Sequence, residues 1–305
     1  MRDILTPFDL STEEILRLFA ISKELKDKFT AGRREALLAG RVMALLFEKP
    51  SLRTRVSFET AMAHLGGQTL FLGQEVGWGK RESAADFGQV ISQYVDVVVC
   101  RTSAHSRLVE LADHCTCPVI TGLTDESHPC QALADLFTLE EIHSPLEGKR
   151  LAYIGDANNV ARSLAIVCGK LGVEFAIASP QQYQFDRPFL EELATQVPEV
   201  KILQTADPCE AVSGAIGVYT DVWTSMGQEA EAETRKAAFA KYQVNAELME
   251  CAPEGAVFLH CLPARRGEEV TDEVIDGHYS AVIVQAANRM HMQKGLLAWL
   301  LNAID

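Results

Sequence analysis

The sequence is short of basic residues: its 305 residues include 28 lysines and arginines against 42 aspartates and glutamates, a formal charge of -14. This balance argues against a general nucleic-acid-binding or membrane-surface protein, because both need a basic surface. No apolar run reaches the roughly 18 residues of a membrane span. The first residues, MRDILTPFDLSTEEI, carry charges where a signal peptide needs its apolar core, so we expect a cytoplasmic protein.

Metal-binding and dinucleotide-binding spacings are also missing. Among the eight cysteines, Cys115 and Cys117 are separated by one residue, which is the wrong spacing for a zinc hairpin. We therefore expect free cytosolic thiols, no metal site and no cofactor. The segment GDANN (155–159), which follows the apolar LAYI, lacks the glycine spacing of a dinucleotide loop and so argues against a nicotinamide-dependent oxidoreductase.

Short apolar segments alternate with helical patterns along the chain. Strands are predicted at RVMALLF, QTLFLG, DVVVCRT, CPVITGL, RLAYIGD, EFAIASP, GAIGVYTD, AVFLHCL and AVIVQAA. This alternation predicts an α/β protein of two doubly wound parallel-sheet domains. The segment SPLEGKR (144–150) marks the boundary and gives domains 1–146 and 147–285. The stretch RMHMQKGLLAWLLNAI predicts a C-terminal helix, within 286–305, that packs back on the first domain.

The stretch FEKPSLRTRVSFETAMAHLGG, residues 47–67, places two arginines in the first turn of a predicted helix. Ser51 is a suitable N-cap, and Arg53, Thr54 and Arg55 follow it. The N-terminus of a helix attracts anions and repels cations. A bound anion would offset the helix dipole and the arginines, whereas capping alone explains only Ser51. The pattern therefore favours an anion site over a capped helix with solvated arginines.

Polar clusters follow several predicted strands. They are Arg101-Thr102, DESHPCQ (125–131), GDANN, DVWTSMG (221–227), HCLPARRG (260–267) and NRMH (288–291). Each has a structural alternative: His128 could cap its helix, Asn158 could be a turn residue and Cys261 could be a small buried hydrophobe. Because the carboxyl ends of parallel strands meet at one edge of a sheet, the convergence of all these clusters indicates a binding site.

Four of these motifs resemble those of the transcarbamoylase family, and of its ornithine carbamoyltransferases in particular. The family's phosphate motif, Ser-Thr-Arg-Thr-Arg, appears as residues 51–55, and its His-Pro-x-Gln motif as residues 128–131. The Asp-x3-Ser-Met-Gly motif of the ornithine enzymes is residues 221–227, and their His-Cys-Leu-Pro motif is residues 260–263. The resemblance covers the whole chain in order, and aspartate carbamoyltransferases lack the last two motifs as a pair.

The resemblance implies transfer of the carbamoyl group from carbamoyl phosphate to the δ-amine of L-ornithine, giving L-citrulline and phosphate in arginine biosynthesis. It also implies a homotrimer. The implied catalytic residues are Arg101, His128 and Cys261. The implied carbamoyl phosphate ligands are Ser51, Leu52, Arg53, Thr54, Arg101, His128, Gln131, Cys261, Leu262 and Arg289. The implied ornithine ligands are Asn159, Asp221, Ser225 and Met226, and Trp78 or Lys80 is expected to reach a neighbouring subunit's site.

Departures from the family pattern leave alternatives open. Leu52 replaces the usual threonine, as it does in carbamoyltransferases that act on an acylated ornithine such as acetyl- or succinylornithine. Arg265 and Ala287 also stand where family members usually have other residue types. A non-catalytic relative with a regulatory role is a further alternative, although it would be expected to lose residues such as His128 or Cys261, and both are present.

Overall fold

The structure is a computed structural model, and it describes residues 2–76, 78, 82–225 and 227–304. The chain divides into two compact units. The first unit comprises Met1–Ala134 and Asn288–Asp305, and the second comprises Asp135–Ala287. Within the described residues, no helix is long and apolar enough to cross a bilayer.

Among the described residues, the first unit contains a four-stranded parallel sheet in the order β2-β1-β3-β4. The strands are β1 (Val42–Phe47), β2 (Gln68–Leu72), β3 (Val97–Arg101) and β4 (Val119–Leu123). The helices are α1 (Thr12–Thr30), α2 (Leu52–His64), α3 (Ala84–Ile91), α4 (His105–His114) and the start of α5 (Pro129–His143). Strands β1 and β3 are buried on both faces, which accounts for their unbroken apolar runs.

The described part of the second unit contains a five-stranded parallel sheet in the order β7-β6-β5-β8-β9. The strands are β5 (Arg150–Ile154), β6 (Glu174–Ala178), β7 (Ile202–Thr205), β8 (Ala215–Thr220) and β9 (Val257–His260). The helices are α6 (Asn159–Lys170), α7 (Arg187–Gln196), α8 (Pro208–Val212), α9 (Ala232–Phe239), α10 (Ala246–Glu250), α11 (Asp272–Ile275) and the start of α12 (Val282–Leu300). Single 3-10 turns lie at Pro7–Asp9, Gln74–Val76, Gln181–Tyr183, Glu229–Glu231 and Ala240–Tyr242.

The predicted fold class is confirmed, including the return of the C-terminal helix to the first unit. In the first unit, Lys294 Nζ donates to the carbonyl oxygen of Leu25 at 3.2 Å, and Ser22 Oγ lies 3.5 Å from Met292 Sδ. Gly295 is required at this contact, because a Cβ atom there would lie 2.1 Å from Ser22 Oγ. The last helix is therefore packed closely against α1.

One predicted strand is wrong and one strand was missed. The segment AVIVQAA (281–287) forms the first turns of α12, because its burial follows a helical period: Val282 and Gln285 are buried while Ile283 is 74% exposed. Its β-branched residues imitate a strand, but no proline or glycine separates it from the helix that follows. The missed strand, β7, is only half-buried and has a weak apolar pattern.

The boundary at residue 146 stays a prediction, and the two compact units divide elsewhere. The division falls inside two helices, between Ala134 and Asp135 in α5 and between Ala287 and Asn288 in α12. A turn-rich segment such as SPLEGKR marks where one sheet's sequence ends and the next begins. It does not show which part of a continuous helix packs with which sheet.

The expectation of free thiols is wrong for two of the eight cysteines, all of which are described. Cys209 in α8 and Cys251 at the end of α10 form a disulfide, with Cα atoms 5.5 Å apart and a sequence separation of 42. The other six cysteines are free. Two cysteines so distant in sequence carry no spacing signal, so only the packing of α8 on α10 reveals the pair.

Candidate active site

The carboxyl edge of the first sheet gathers the residues predicted to bind carbamoyl phosphate in the first unit. In the parallel register, Phe47 lies opposite Arg101, and Arg101 lies opposite Leu123. The N–H of Glu48 donates to the carbonyl oxygen of Arg101 at 2.8 Å. The chain segments that lead to α2 and α5 therefore leave the sheet beside the last residue of β3.

Ser51 caps α2, as the sequence predicted. Its Oγ accepts a hydrogen bond from the N–H of Thr54 at 3.4 Å. By helix geometry, the N–H groups of Leu52 and Arg53 have no acceptor within the helix, so they are available to an anion. The side chain of Arg53 is half-buried, whereas that of Leu52 is 74% exposed. An apolar side chain offers no hydrogen-bond donor, so Leu52 can hydrogen-bond to an anion here only through its backbone N–H.

The second arginine of the motif belongs to the helix surface. Arg55 Nε pairs with Glu59 Oε1 at 2.9 Å across one helical turn, and its guanidinium lies 3.7 Å from the centre of the Phe71 ring. A bound anion is therefore not needed to explain Arg55. Of the two first-turn arginines, only Arg53 remains as an anion ligand.

Three buried side chains give this edge its electrostatic character. Arg101, His128 and Arg289 are 6%, 4% and 4% exposed, and Arg289 Nη2 donates to Thr54 Oγ1 at 3.0 Å. Burial, followed by the charges of Arg289 and Arg101, holds the pKa of His128 well below its usual value of 6.5. His128 is therefore neutral near pH 7. The two guanidiniums provide the charge, and an anion bound near them would offset the cost of their burial.

The start of α5 adds a buried amide and an inert thiol. Gln131 is 1% exposed in the first turn of the helix. Its neighbour Cys130 is 2% exposed, and burial raises the pKa of its thiol to about 12. A thiol with so high a pKa is not a nucleophile near neutral pH, so Gln131 is the better candidate ligand in this turn.

Trp78 lies inside the first unit and Lys80 lies outside the described residues. The Trp78 side chain is 4% exposed, its ring centre is 6.3 Å from that of Phe87, and the Arg107 guanidinium lies 4.4 Å above it. Trp78 therefore has its contacts within its own chain. A role of Trp78 or Lys80 in a neighbouring subunit's site stays a prediction.

The second sheet brings its own strand ends together. Ile154 pairs with Thr220, and Thr220 pairs with His260. The residues that follow these three positions include Asp221 and Cys261, which therefore leave the carboxyl edge of the sheet next to each other.

Asp221 is the centre of this second group and is 8% exposed. Its Oδ1 lies 3.1 Å from the donating thiol of Cys261, and its Oδ2 accepts from the side-chain amide of Asn158 at 2.9 Å. Asn158 is itself fixed as the N-cap of α6. The N–H of Val222 also donates to Oδ1, at 2.8 Å. A carboxylate has about four acceptor positions, so Asp221, with three donors, can still accept from a bound ammonium group.

The remaining predicted ornithine ligands flank this carboxylate in sequence. Asn159 is the first residue of α6 and is half-buried. The N–H of Ser225 donates to Gln228 Oε1 at 3.0 Å, which tightens the loop after β8. Gly227 has a φ of 97°, a conformation that glycine adopts without strain. Met226 lies outside the described residues.

Asp221, His260 and Cys261 each place a potential metal ligand within 4.8 Å of the others. His260 is not available as a ligand in this arrangement. Its Nδ1 accepts from the N–H of Leu262 at 2.8 Å, and its Nε2 lies 3.2 Å from Glu269 Oε1. Metal binding would have to break one of these hydrogen bonds, so the cluster is organised by hydrogen bonding.

The two groups lie in regions that two models of one protein family match. The family described as "Aspartate/ornithine carbamoyltransferase, carbamoyl-P binding domain" matches residues 2–141, and "Aspartate/ornithine carbamoyltransferase, Asp/Orn binding domain" matches residues 147–300. The chain belongs to the aspartate/ornithine carbamoyltransferase family. The motifs at residues 51–55 and 128–131 lie in the first match, and those at 221–227 and 260–263 lie in the second.

Relatives within this family are similar over nearly their full length. The chain is 50% identical over 303 residues to the ornithine carbamoyltransferase of Bacillus subtilis, covering 98% of this chain and 94% of that protein. It is 49% identical over 303 residues to that of Anoxybacillus flavithermus, covering 98% and 96%. The solved ornithine carbamoyltransferase of Pyrococcus furiosus superimposes with a TM-score of 0.95 at 45% identity, covering 100% of this chain and 98% of that one.

Two features of this carbamoyltransferase were not found by motif. Asn158 was considered only as a turn residue, yet its amide contacts Asp221 directly. Its position at the end of a strand and the start of a helix was the available signal. Arg289 was predicted to begin the C-terminal helix directly after a strand, whereas it lies well inside α12. The wrong strand prediction at 281–287 caused that error.

Proposed function

We propose that this member of the family transfers the carbamoyl group of carbamoyl phosphate to the δ-amine of L-ornithine and releases L-citrulline and phosphate, as a step of arginine biosynthesis. The observation that carries the proposal is the buried pair Arg101 and Arg289 beside neutral His128, a cationic group in a chain whose net charge is -14. A bound anion would offset the cost of burying two guanidiniums. The names of the relatives support carbamoyl phosphate as that anion and ornithine as the acceptor.

In this proposal the first unit binds carbamoyl phosphate. Ser51 and the N–H groups of Leu52 and Arg53 hold the phosphate at the start of α2, where the helix dipole favours negative charge. The guanidiniums of Arg53, Arg101 and Arg289 make charge-assisted hydrogen bonds to it. His128 and Gln131 are assigned to the carbamoyl group. Their side chains are neutral, so they suit a neutral amide better than they suit a charged phosphate.

The second unit binds ornithine. The carboxylate of Asp221 pairs with the α-ammonium group, and Asn159, Ser225 and Met226 hold the rest of the amino acid. The Cys261 thiol, which donates to Asp221 at 3.1 Å, orients that carboxylate. Leu262 adds a backbone group next to it.

The chemistry is a displacement at the carbamoyl carbon. The lone pair of the neutral δ-amine forms the new C–N bond, the C–O bond to phosphate breaks, and the leaving phosphate takes the proton from the nitrogen. Negative charge grows on the carbonyl oxygen in the tetrahedral state. Fixed donors from Thr54, Arg101 and His128 stabilise it, and such preorganised donors are usually the largest catalytic contribution.

An acylated ornithine is the competing acceptor, and the geometry weighs against it. Leu52, the residue that suggested it, is assigned to the phosphate through its backbone N–H, and no role in recognising the acceptor is assigned to its side chain. Acylation would remove the α-ammonium charge and leave the buried carboxylate of Asp221 without its cationic partner.

An acceptor panel tests the proposal. Carbamoyl phosphate is supplied with ornithine, acetylornithine, succinylornithine, putrescine or aspartate, and the carbamoylated product is measured. Ornithine should exceed acetylornithine in kcat/KM by at least about a hundredfold, roughly 2.7 kcal/mol. Comparable rates with both would replace the ornithine assignment. Absence of product with every acceptor would favour the non-catalytic alternative.

A homotrimer and a cytoplasmic location are also proposed. The first rests on the family resemblance and the second on the sequence alone. Mixing two inactive variants tests the role of Lys80: Arg53→Ala in one and Lys80→Ala in the other. If Lys80 serves a neighbouring subunit, reassembled hybrids regain part of the activity. Hybrids confirmed by mass that stay inactive would show that each site belongs to one chain.

A further inference from the structure

The loop that carries Cys261 is held from the interior by a carboxylate outside the proposed binding residues. Glu269 is 0% exposed, and its Oε1 accepts from two parts of this loop: from His260 Nε2 at 3.2 Å and from the N–H of Arg265 at 2.5 Å. Among the described residues, Glu269 Oε2 has no hydrogen-bond partner. A single carboxylate oxygen therefore ties the beginning of the loop to its end.

The His260 ring extends this tie to the residue after Cys261. Because Nδ1 accepts from the N–H of Leu262 at 2.8 Å, the proton of the neutral ring lies on Nε2, where it is donated to Glu269. Leu262 has a φ of 57°, a left-handed conformation that side-chain-bearing residues rarely adopt. The hydrogen bond that the N–H of Leu262 donates to His260 Nδ1 holds Leu262 in this conformation.

A second buried chain of hydrogen bonds fixes the backbone before Cys261. Gln285 is 0% exposed, and its Oε1 accepts from the N–H of His260 at 2.9 Å. Its Nε2 donates to Asp135 Oδ1 at 2.7 Å, and Tyr219 donates to Asp135 Oδ2 at 2.9 Å. The N–H groups on either side of Cys261, at His260 and Leu262, are therefore both held by buried side chains.

We propose that Glu269 and Gln285 are positioning residues that aim the Cys261 thiol at Asp221. Neither reaches the group formed by Asp221, Cys261 and Asn158; both act through the backbone that carries Cys261. The 3.1 Å contact between the Cys261 thiol and Asp221 depends on the direction of the backbone at Cys261. The next residue, Leu262, has a positive φ, which is unfavourable for leucine, so the surrounding hydrogen bonds are needed to hold this backbone in place. The inference rests on the proposed function where it concerns ornithine, but the thiol geometry is independent of it.

The consequence is selective for one substrate. When the loop is released, Asp221 loses its thiol donor and ornithine binds less well. Most of the proposed carbamoyl phosphate ligands lie in the first unit and do not involve Glu269, so the dissociation constant of carbamoyl phosphate should rise much less than the ornithine KM. A purely structural role for Glu269 would lower thermal stability and leave this selectivity absent.

The test compares Glu269→Ala, Glu269→Gln and the control Glu268→Ala. Gln keeps an oxygen at the accepting position and places its amide where Oε2 has no partner, so it should behave like the wild type. Glu268 is the neighbouring residue, and its carboxylate pairs with Lys236 at 3.6 Å and with the side chain of Arg265 at 3.7 Å. It controls for the loss of a glutamate charge.

Two readouts are measured: the ornithine KM with the carbamoyl phosphate Kd, and the alkylation rate of Cys261 by iodoacetamide, followed by peptide mass spectrometry. For Glu269→Ala we expect about a tenfold or greater rise in ornithine KM, a carbamoyl phosphate Kd within about twofold and a roughly fivefold faster alkylation. Glu269→Gln and Glu268→Ala should stay within about threefold of wild type in each. A folded Glu269→Ala protein with unchanged KM and alkylation rate would overturn the proposal.

If Glu269→Ala does not fold, two histidine variants decide the question. His260→Asn keeps an acceptor near Nδ1, and His260→Gln keeps a donor near Nε2. Each breaks one tie, so each should raise the Cys261 alkylation rate at least about threefold, and wild-type rates in both would contradict the proposal. Because alkylation needs no substrate, it remains decisive if the wild type forms no citrulline, an outcome that would reject the proposed function alone.

Discussion

The two units build their candidate binding residues from opposite chemistry on the same architecture. At the carboxyl edge of its sheet, the first unit gathers two buried guanidiniums, a neutral imidazole and the start of a helix. At the corresponding edge, the second unit gathers a carboxylate, a thiol and an amide around Asp221. The first set suits an anion and the second an ammonium group. The fold sets where ligands bind, and the side chains set which charge they carry.

Removing a buried guanidinium should break the cationic set with the largest effect. Arg101→Ala removes a proposed donor to the developing oxyanion, so kcat should fall about a thousandfold, ~4 kcal/mol. Single-turnover kinetics at saturating substrates give the value. Arg55→Ala is the matched control, because Arg55 pairs with Glu59 on the surface, and it should stay within about twofold. A kcat for Arg101→Ala within tenfold of wild type would remove Arg101 from the catalytic set.

The units also differ in cysteine chemistry, since the disulfide lies in the second unit. Cys209→Ser should lower stability by roughly 2–4 kcal/mol and Tm by about 4–16 °C, because the bond closes a loop that includes Asp221. Thermal unfolding with and without dithiothreitol measures this. The reductant should lower the Tm of the wild type to that of the variant and leave the variant unchanged. A thiol count of eight in the denatured, unreduced wild type would show that the bond does not form.

Neutralising the anionic set should affect one substrate. Asp221→Asn should reduce kcat/KM for ornithine about a hundredfold, roughly 2.7 kcal/mol, while acetylornithine changes little, so the gap between the two acceptors narrows. The two kcat/KM values are measured side by side. An equal loss with both acceptors would mean that Asp221 does not read the α-ammonium group.

Protonation of a buried histidine, His291, should destabilise the first unit at low pH. His291 is 5% exposed, and burial, with Lys294 and Lys26, lowers its pKa from 6.5 to about 4. Below pH 6.5 the unfolded chain binds a proton that the folded chain does not. The contribution of His291 to the free energy of unfolding is therefore complete above pH 6.5 and is lost as the pH falls towards 4. Over this range the free energy of unfolding falls by up to ~1.4 kcal/mol per pH unit.

His291→Gln should remove this part of the pH dependence. Urea unfolding between pH 7 and 5 measures it, with exposed His278→Gln as the control. If the free energy of unfolding of His291→Gln changes with pH as steeply as that of the wild type, the pKa of His291 is the same in the folded and unfolded states, and the prediction is wrong.

The sequence predicted most of the fold because buried parallel strands read as apolar runs of fixed length, as in β3 and β5. It failed where two patterns overlap: the β-branched residues at 281–287 imitate a strand but lie in a helix. For the site, motifs located Arg101, His128, Asp221 and Cys261. They could not locate Asn158 as a ligand of Asp221, or the interior ties from Glu269 and Gln285, because such contacts join residues from separate elements and leave no local spacing.

Calorimetric titration of carbamoyl phosphate tests the division of charge most directly. The wild type is compared with Arg53→Ala, from the cationic set, and Asp221→Asn, from the anionic set. We predict that Arg53→Ala weakens binding by roughly 1.5–3 kcal/mol or more, because a charge-assisted contact to the phosphate is lost. Asp221→Asn should bind carbamoyl phosphate as the wild type does. Unchanged affinity in Arg53→Ala, or an equal loss in Asp221→Asn, would contradict the account.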